Sequence, residues 1–286
     1  MNFAQAFNGL GAFIAAKYLS KLVLSGKEFT TEQFNAMSPD ALNSYLTSEA
    51  DRVKLPYIGI AVVLLIVAFL FFIVKMPKVS EEKGSFKFDF AVFRHKHSMN
   101  GVIAQFFYVG AQVCISSFFI RYSKFSADMP EIAATDLLGY LLLCFMIGRY
   151  VGTFLMRTIK AEILLTIYSA INILLLAYIT FIGGRLGVYS MMGVEFFMSI
   201  MFPTIFALGI KDLGAETKIA SSYMVMAIVG GATIPLALGY IARHYNMQLA
   251  YIVPLICFFF ILFYGVKGHK IRSGSLADKK YNTAVQ

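Results

Sequence analysis

Residues 58–74 read Ile-Gly-Ile-Ala-Val-Val-Leu-Leu-Ile-Val-Ala-Phe-Leu-Phe-Phe-Ile-Val, seventeen positions without a charged or hydrogen-bonding side chain. Polar and apolar residues do not alternate in this run, so it is not the strand of a membrane barrel, whose inner face is wet. What remains is a helix, which satisfies its own backbone in lipid. Seven more runs have the roughly 20 apolar residues that a bilayer crossing needs. With the first they fall at about 2–25, 55–75, 98–120, 132–157, 161–182, 187–209, 218–242 and 247–267. The expected fold class is an all-α integral membrane protein with about eight spans. Composition agrees: 58% of residues are hydrophobic and 14% charged, against the near-even balance of a soluble domain.

A net charge of +9 raises the question of nucleic acid, but the basic residues lie in short loops rather than in one stripe. Fifteen Lys and Arg fall in the segments 75–97, 157–160, 211–218 and 267–280, against eight on the opposite side. The positive-inside rule makes the first set cytoplasmic. With an even number of spans, both ends of the chain are then expected in the cytoplasm, and the partners are lipid and small solutes, not nucleic acid. Met1 to Phe7 has no basic residue and no cleavage site follows the first apolar run, so a signal peptide is not expected. Cys114, Cys144 and Cys257 all fall within spans, where a thiol behaves as a small hydrophobe; neither a disulfide nor a metal site is expected.

Two polar stretches interrupt the apolar series. In the first, at 26–54, Ser38 followed by Pro39 is an N-cap with proline in the first turn, and a short external surface helix over 39–50 is expected. The second, at 76–97, is a cytoplasmic linker that ends in Arg94-His95-Lys96-His97. Alternate histidines flanked by cations read as a solvated basic face against lipid headgroups rather than as metal ligands. Six spans joined by short loops follow the linker, which is one whole half of a twelve-helix transporter built from three-helix repeats. Two precede it. The expected organisation is therefore 1–75 as the last two helices of an incomplete N-terminal half, 76–97 as linker, 98–267 as a complete C-terminal half and 268–286 as a cytoplasmic tail. The four further spans of such an N-terminal half would amount to about 150 residues.

Polar side chains within lipid are few and costly, so each asks for a reason. Asn2, Gln5 and Asn8 recur at three-residue spacing. Amides both donate and accept, which suits the hydroxyls of a sugar, and they equally suit hydrogen bonds between helices. Gln105, Tyr108 and Gln112 make a second polar line, continued by Ser116, which reads as the wall of a cavity. Glu195 is the one carboxylate deep in a span; it either exchanges protons during transport or stays neutral between helices without a coupling role. Gly148-Arg149-Tyr150-Val151-Gly152 sets an arginine between two small residues. Arg149 there either caps carbonyl groups of a neighbouring helix, as a gate, or snorkels to the membrane edge. Gly230-Gly231, Pro203 and Pro235 are expected packing or bending points. No nucleophile paired with a base, zinc-binding helix motif or phosphate loop is visible, so neither catalysis nor a cofactor is expected.

Five segments together carry a resemblance: Asn2-Phe3-Ala4-Gln5-Ala6-Phe7-Asn8, Met37-Ser38-Pro39, Ala104-Gln105-Phe106-Phe107-Tyr108-Val109-Gly110-Ala111-Gln112, Gly148-Arg149, and Phe202-Pro203-Thr204-Ile205-Phe206-Ala207-Leu208-Gly209-Ile210-Lys211. The sequence resembles, from residue 1 to about 265, the L-fucose:proton symporter family of the major facilitator superfamily, which includes glucose/galactose permeases. The resemblance implies proton-driven uptake of a monosaccharide across the inner membrane by alternating access, with Gln5 and Asn8 at cavity positions. It also implies a chain that begins at the family's fifth helix, whereas the family's coupling carboxylates lie on its first and fourth. The expectation is thus a truncated permease, or otherwise a sugar-binding membrane protein without turnover.

Overall fold

The computed structural model of the chain describes residues 36–74 and 95–271, with a few isolated positions between 11 and 34. The described residues contain seven helical segments long and apolar enough to cross a membrane. The first expected span, the linker and the C-terminal tail lie mostly outside the described residues.

Helix α1 runs over Pro39–Ile73. Ser38 caps it, its Oγ accepting from the Ala41 N–H at 3.3 Å, with Pro39 and Asp40 in the first turn where a missing N–H and a negative charge both suit the helix end. The expected short surface helix is therefore not separate. Nothing between Ala50 and Leu55 stops the helix, Asp51 and Lys54 pair across one turn at 2.6 Å, and Pro56 is absorbed inside it. At 1.5 Å per residue its 35 residues reach about 52 Å, well beyond the roughly 30 Å of hydrocarbon, so its first turns stand outside the bilayer. None of its residues is buried.

The remaining six spans form one packed body. They are α2 (Lys96–Ala127), α3 (Glu131–Leu155), α4 (Ala161–Phe181), the pair α5 (Gly184–Met198) and α6 (Met201–Gly209), the pair α7 (Thr217–Met226) and α8 (Gly230–His244), and α9 (Ile252–Phe263). Helix α2 is the axis of this body and packs against α3, α5, α6, α7, α8 and α9. Its buried face carries Tyr108, Phe119 and Tyr122, against Tyr251 and Phe258 at the last span. Buried hydroxyls tie helices together: Tyr122 donates to the Ile179 carbonyl at 3.1 Å.

Two spans are interrupted. The first breaks between α5 and α6, just ahead of Pro203, and the second passes through a tight turn over Ala227–Val229. Glycine lets the second come close to α2: a Cβ on Gly230 would collide with the Phe106 carbonyl, and one on Gly110 with Ile234. The packing role read from Gly230-Gly231 is seen in these contacts.

The histidines correct another expectation. His97 is buried, its Nε2 2.9 Å from the Lys211 carbonyl, and His95 Nε2 lies 3.0 Å from a Glu216 carboxylate oxygen. They do not form a solvated face. The start of α2 lies against the loop between α6 and α7, which turns through positive φ at Asp212 and Gly214, and both rings are taken up by that contact.

Candidate functional site

The polar line on α2 and the interrupted span α5/α6 meet inside the six-span body. Proline has no N–H, so Pro203 cannot donate to the carbonyl of Ser199 four residues earlier. That carbonyl accepts instead from Arg149 Nε of α3, at 3.1 Å. One residue earlier the Met198 carbonyl accepts from the Tyr108 hydroxyl of α2, also at 3.1 Å, and the same hydroxyl stands beside the Phe202 N–H. A tyrosine from one neighbour and an arginine from another thus occupy the break in the ladder, the condition under which a membrane helix can be discontinuous.

Two glycines bring Arg149 within reach. A Cβ on Gly148 would strike the Phe196 carbonyl and one on Gly152 the Ile200 side chain, so α3 lies directly on the break. The guanidinium also covers the Phe145 ring, 5.0 Å from its centroid. Arg149 Nε thus caps a carbonyl of the neighbouring span.

Glu195 lies one turn before the break and is 1% exposed. Its Oε1 is 2.7 Å from Ser116 Oγ on α2, and the same Oγ is 3.1 Å from the Gln112 carbonyl. Gln105, Tyr108, Gln112 and Ser116 therefore do share the face of α2 that looks toward α5 and α6. Gln105 and Tyr108 are fully buried and Gln112 is half-buried. Among the described residues neither the nitrogen nor the oxygen of the Gln105 amide has a hydrogen-bond partner. Gln5 and Asn8 lie outside the described residues.

Asn172 of α4 was missed by the reading of the sequence. It is fully buried, and among the described residues its amide also lacks a partner on both atoms. Its signal was in plain view, as the lone amide in the apolar run of residues 161–182. A cleft of about 430 Å³ between α2 and α7 is lined by Phe106, Phe107, Val102 and Met226 and holds none of these amides, so it is apolar in character. Cys114, Cys144 and Cys257 are free thiols. No group of three or more His, Cys, Asp or Glu among the described residues is placed to hold a metal ion.

No protein-family model matches the chain. Individual relatives do. A Helicobacter pylori protein provisionally named a glucose/galactose transporter is 36% identical over 95% of this chain. The L-fucose-proton symporter of Haemophilus influenzae is 32% identical, again over 95% of this chain and over 67% of its own length. The crystal structure of a point variant of the Escherichia coli fucose:proton symporter, FucP, superposes with a TM-score of 0.70 at 33% identity, over 95% of this chain and 68% of that one.

The chain belongs to the L-fucose:proton symporter family. It has the all-α membrane fold of the major facilitator superfamily, the class to which a second FucP structure, in the outward conformation, is assigned. The family's multi-pass character accords with the seven apolar spans. The chain spans about two thirds of the relatives it matches, 66% of the Helicobacter protein.

Proposed function

We propose that the protein takes up a monosaccharide, L-fucose, together with protons, by alternating access across the inner membrane. The observation that carries this reading is its kinship with symporters over 95% of the chain. In this reading 1–75 supplies the last two helices of an N-terminal half, 76–97 the cytoplasmic linker, 98–267 the C-terminal half and 268–286 the tail, with both ends of the chain cytoplasmic. Gln5, Asn8, Gln105, Tyr108 and Gln112 contact the sugar. The Gln105 amide, without a partner among the described residues, supports this, since a buried amide without partners is destabilised until something supplies them, and sugar hydroxyls can do so. Arg149, with Gly148 and Gly152 holding it close, acts as a gate: its bond to the Ser199 carbonyl holds the break in one arrangement and its release frees α6 to move. No cofactor takes part and no bond of the sugar is broken.

A second reading, glucose or galactose as substrate, is favoured by the name of the Helicobacter relative. The two sugars' pockets would differ by one or two hydrogen bonds, each contributing about 1 kcal/mol. Uptake of labelled L-fucose into proteoliposomes under an imposed pH gradient tests the proposal. Accumulation that a protonophore abolishes is expected, with glucose and galactose competing weakly; stronger competition by those two selects the second reading. Binding without uptake would leave a sugar-binding membrane protein, and neither binding nor uptake would overturn the proposal.

A further inference from the structure

Among the described residues Glu195 is the one buried carboxyl side chain, and its hydrogen-bond geometry bears on its proton. Ser116 Oγ has two close oxygen neighbours, Glu195 Oε1 at 2.7 Å and the Gln112 carbonyl at 3.1 Å, and a hydroxyl has one hydrogen to give. Suppose that hydrogen goes to the Gln112 carbonyl, the back-bond usual for a serine within a helix. Ser116 Oγ must then accept at its short contact with Glu195, and only a protonated carboxyl can donate there. Suppose instead that the hydrogen goes to Glu195. The Gln112 contact is then left without one, and the carboxyl is either an ion or carries its proton on Oε2, away from Ser116.

The surroundings decide between the two arrangements. Titratable groups close enough to feel Glu195 are Tyr108 on α2, Cys144 on α3 and Tyr251 at the entry to the last span, none of them a cation. Helix α4 contributes Tyr168, which stands edge-on to Phe197, and α6 has no titratable side chain. Arg149, the cation of α3, gives its Nε to the Ser199 carbonyl four residues further along. No ion pair involves Glu195 among the described residues. A carboxylate withdrawn from water without a cation is strongly disfavoured, whereas the neutral acid completes an unbroken line of donors from Glu195 through Ser116 to the carbonyl.

We propose that Glu195 and Ser116 form a proton-binding site within the six-span half: Glu195 holds a proton and donates it to Ser116 Oγ, whose own hydrogen is held by the Gln112 carbonyl. On release the O–H bond of the acid breaks, its electron pair stays on the carboxylate, and the proton passes to a water molecule admitted as the contact between α2 and α5 opens. Ser116 then turns its hydrogen from the Gln112 carbonyl to Oε1. Glu195 lies one turn from the break that Arg149 and Tyr108 hold, so loading the site and moving α6 involve the same few residues. The use of this proton in coupling rests on the transport reading above; its presence does not.

The test has a part that needs no sugar. Infrared difference spectra of the full chain in lipid, recorded from acid to alkaline pH, should show a protonated-carboxyl band at neutral pH that Glu195→Gln removes. Ser116→Ala takes away the acceptor and should shift that band; if Glu195→Gln fails to fold, this shift alone carries the test. A neutral-pH spectrum without a band sensitive to either substitution overturns the proposal. The second part is binding of labelled L-fucose to the full chain as a function of pH. Affinity should change by about tenfold per pH unit beyond the pH at which the band disappears, and by less than about twofold in Glu195→Gln. An unchanged pH slope in Glu195→Gln would overturn the coupling role alone. A band that behaves as expected in a chain that binds no sugar would sink the transport reading and leave the proton site standing.

Discussion

Two spans of this protein are interrupted near their middles, and their neighbours hold them in opposite ways. At the break between α5 and α6 the freed carbonyls of Met198 and Ser199 are met by long polar side chains, Tyr108 and Arg149, from two different helices. At Ala227–Val229 the neighbour α2 supplies backbone and aliphatic groups instead, Phe106 against Gly230 and Val109 and Val113 against Gly231. Within lipid the apolar surfaces of helices gain little by leaving the surrounding chains, so close packing and hydrogen bonds decide which contacts last. A hydrogen bond to a long side chain can be released and remade as that side chain changes rotamer. A glycine seam cannot open by degrees, because every contact in it is lost together. One interruption is thus suited to movement and the other to holding the body together around α2.

The largest expected effect is on the closed seam. Gly230→Leu places a side chain into the Phe106 carbonyl and should lower stability by about 3 kcal/mol, or prevent accumulation of folded protein, as read from thermal unfolding in detergent. A variant as stable as the parent would show that the seam does not hold α8 to α2. Arg149→Met comes next, leaving the Ser199 carbonyl without its donor at a cost of about 2 kcal/mol in the same measurement. The same change is then made in a Pro203→Ala background. Alanine restores the N–H that can reach the Ser199 carbonyl, so the cost of Arg149→Met should fall to about 1 kcal/mol or less. An undiminished cost would mean that Arg149 stabilises the break by something other than capping. The smallest effect belongs to Tyr108→Phe, about 1 kcal/mol or less, because the Phe202 N–H is free to close on the Met198 carbonyl once the hydroxyl is gone. Hydrogen exchange at Phe202 should slow in that variant; faster exchange would contradict the view that the hydroxyl is wedged into the ladder.

Much of this was legible in the residues. Ser38-Pro39 marked a true helix start, and the short loops marked the ends of the six spans from α2 to α9. At residues 39–50 the same signals show only the start of a longer helix, because no stop precedes Leu55. Gln105, Tyr108, Gln112 and Ser116 fall on one face of their helix, since 3.6-residue periodicity determines that much. What that face meets was not legible. His95 and His97 looked solvated because their sequence neighbours are Arg94 and Lys96, yet the groups that engage them, Glu216 and the Lys211 carbonyl, are more than a hundred residues away.

By itself, then, the sequence determined the class, the spans and which residues in them would be worth attention. Lipid imposes that much: each segment must satisfy its own backbone, and a polar side chain there stands out against the apolar background. Only the tertiary structure decided the partners, with Arg149 on Ser199, Tyr108 on Met198 and Glu195 on Ser116. In a helix that is apolar on nearly every side, the core-facing and lipid-facing surfaces are chemically alike, so no periodicity tells one from the other. The rotation of each helix, and with it the choice of hydrogen-bond partner, is set by where small residues such as Gly148, Gly152 and Gly230 allow another backbone to come close.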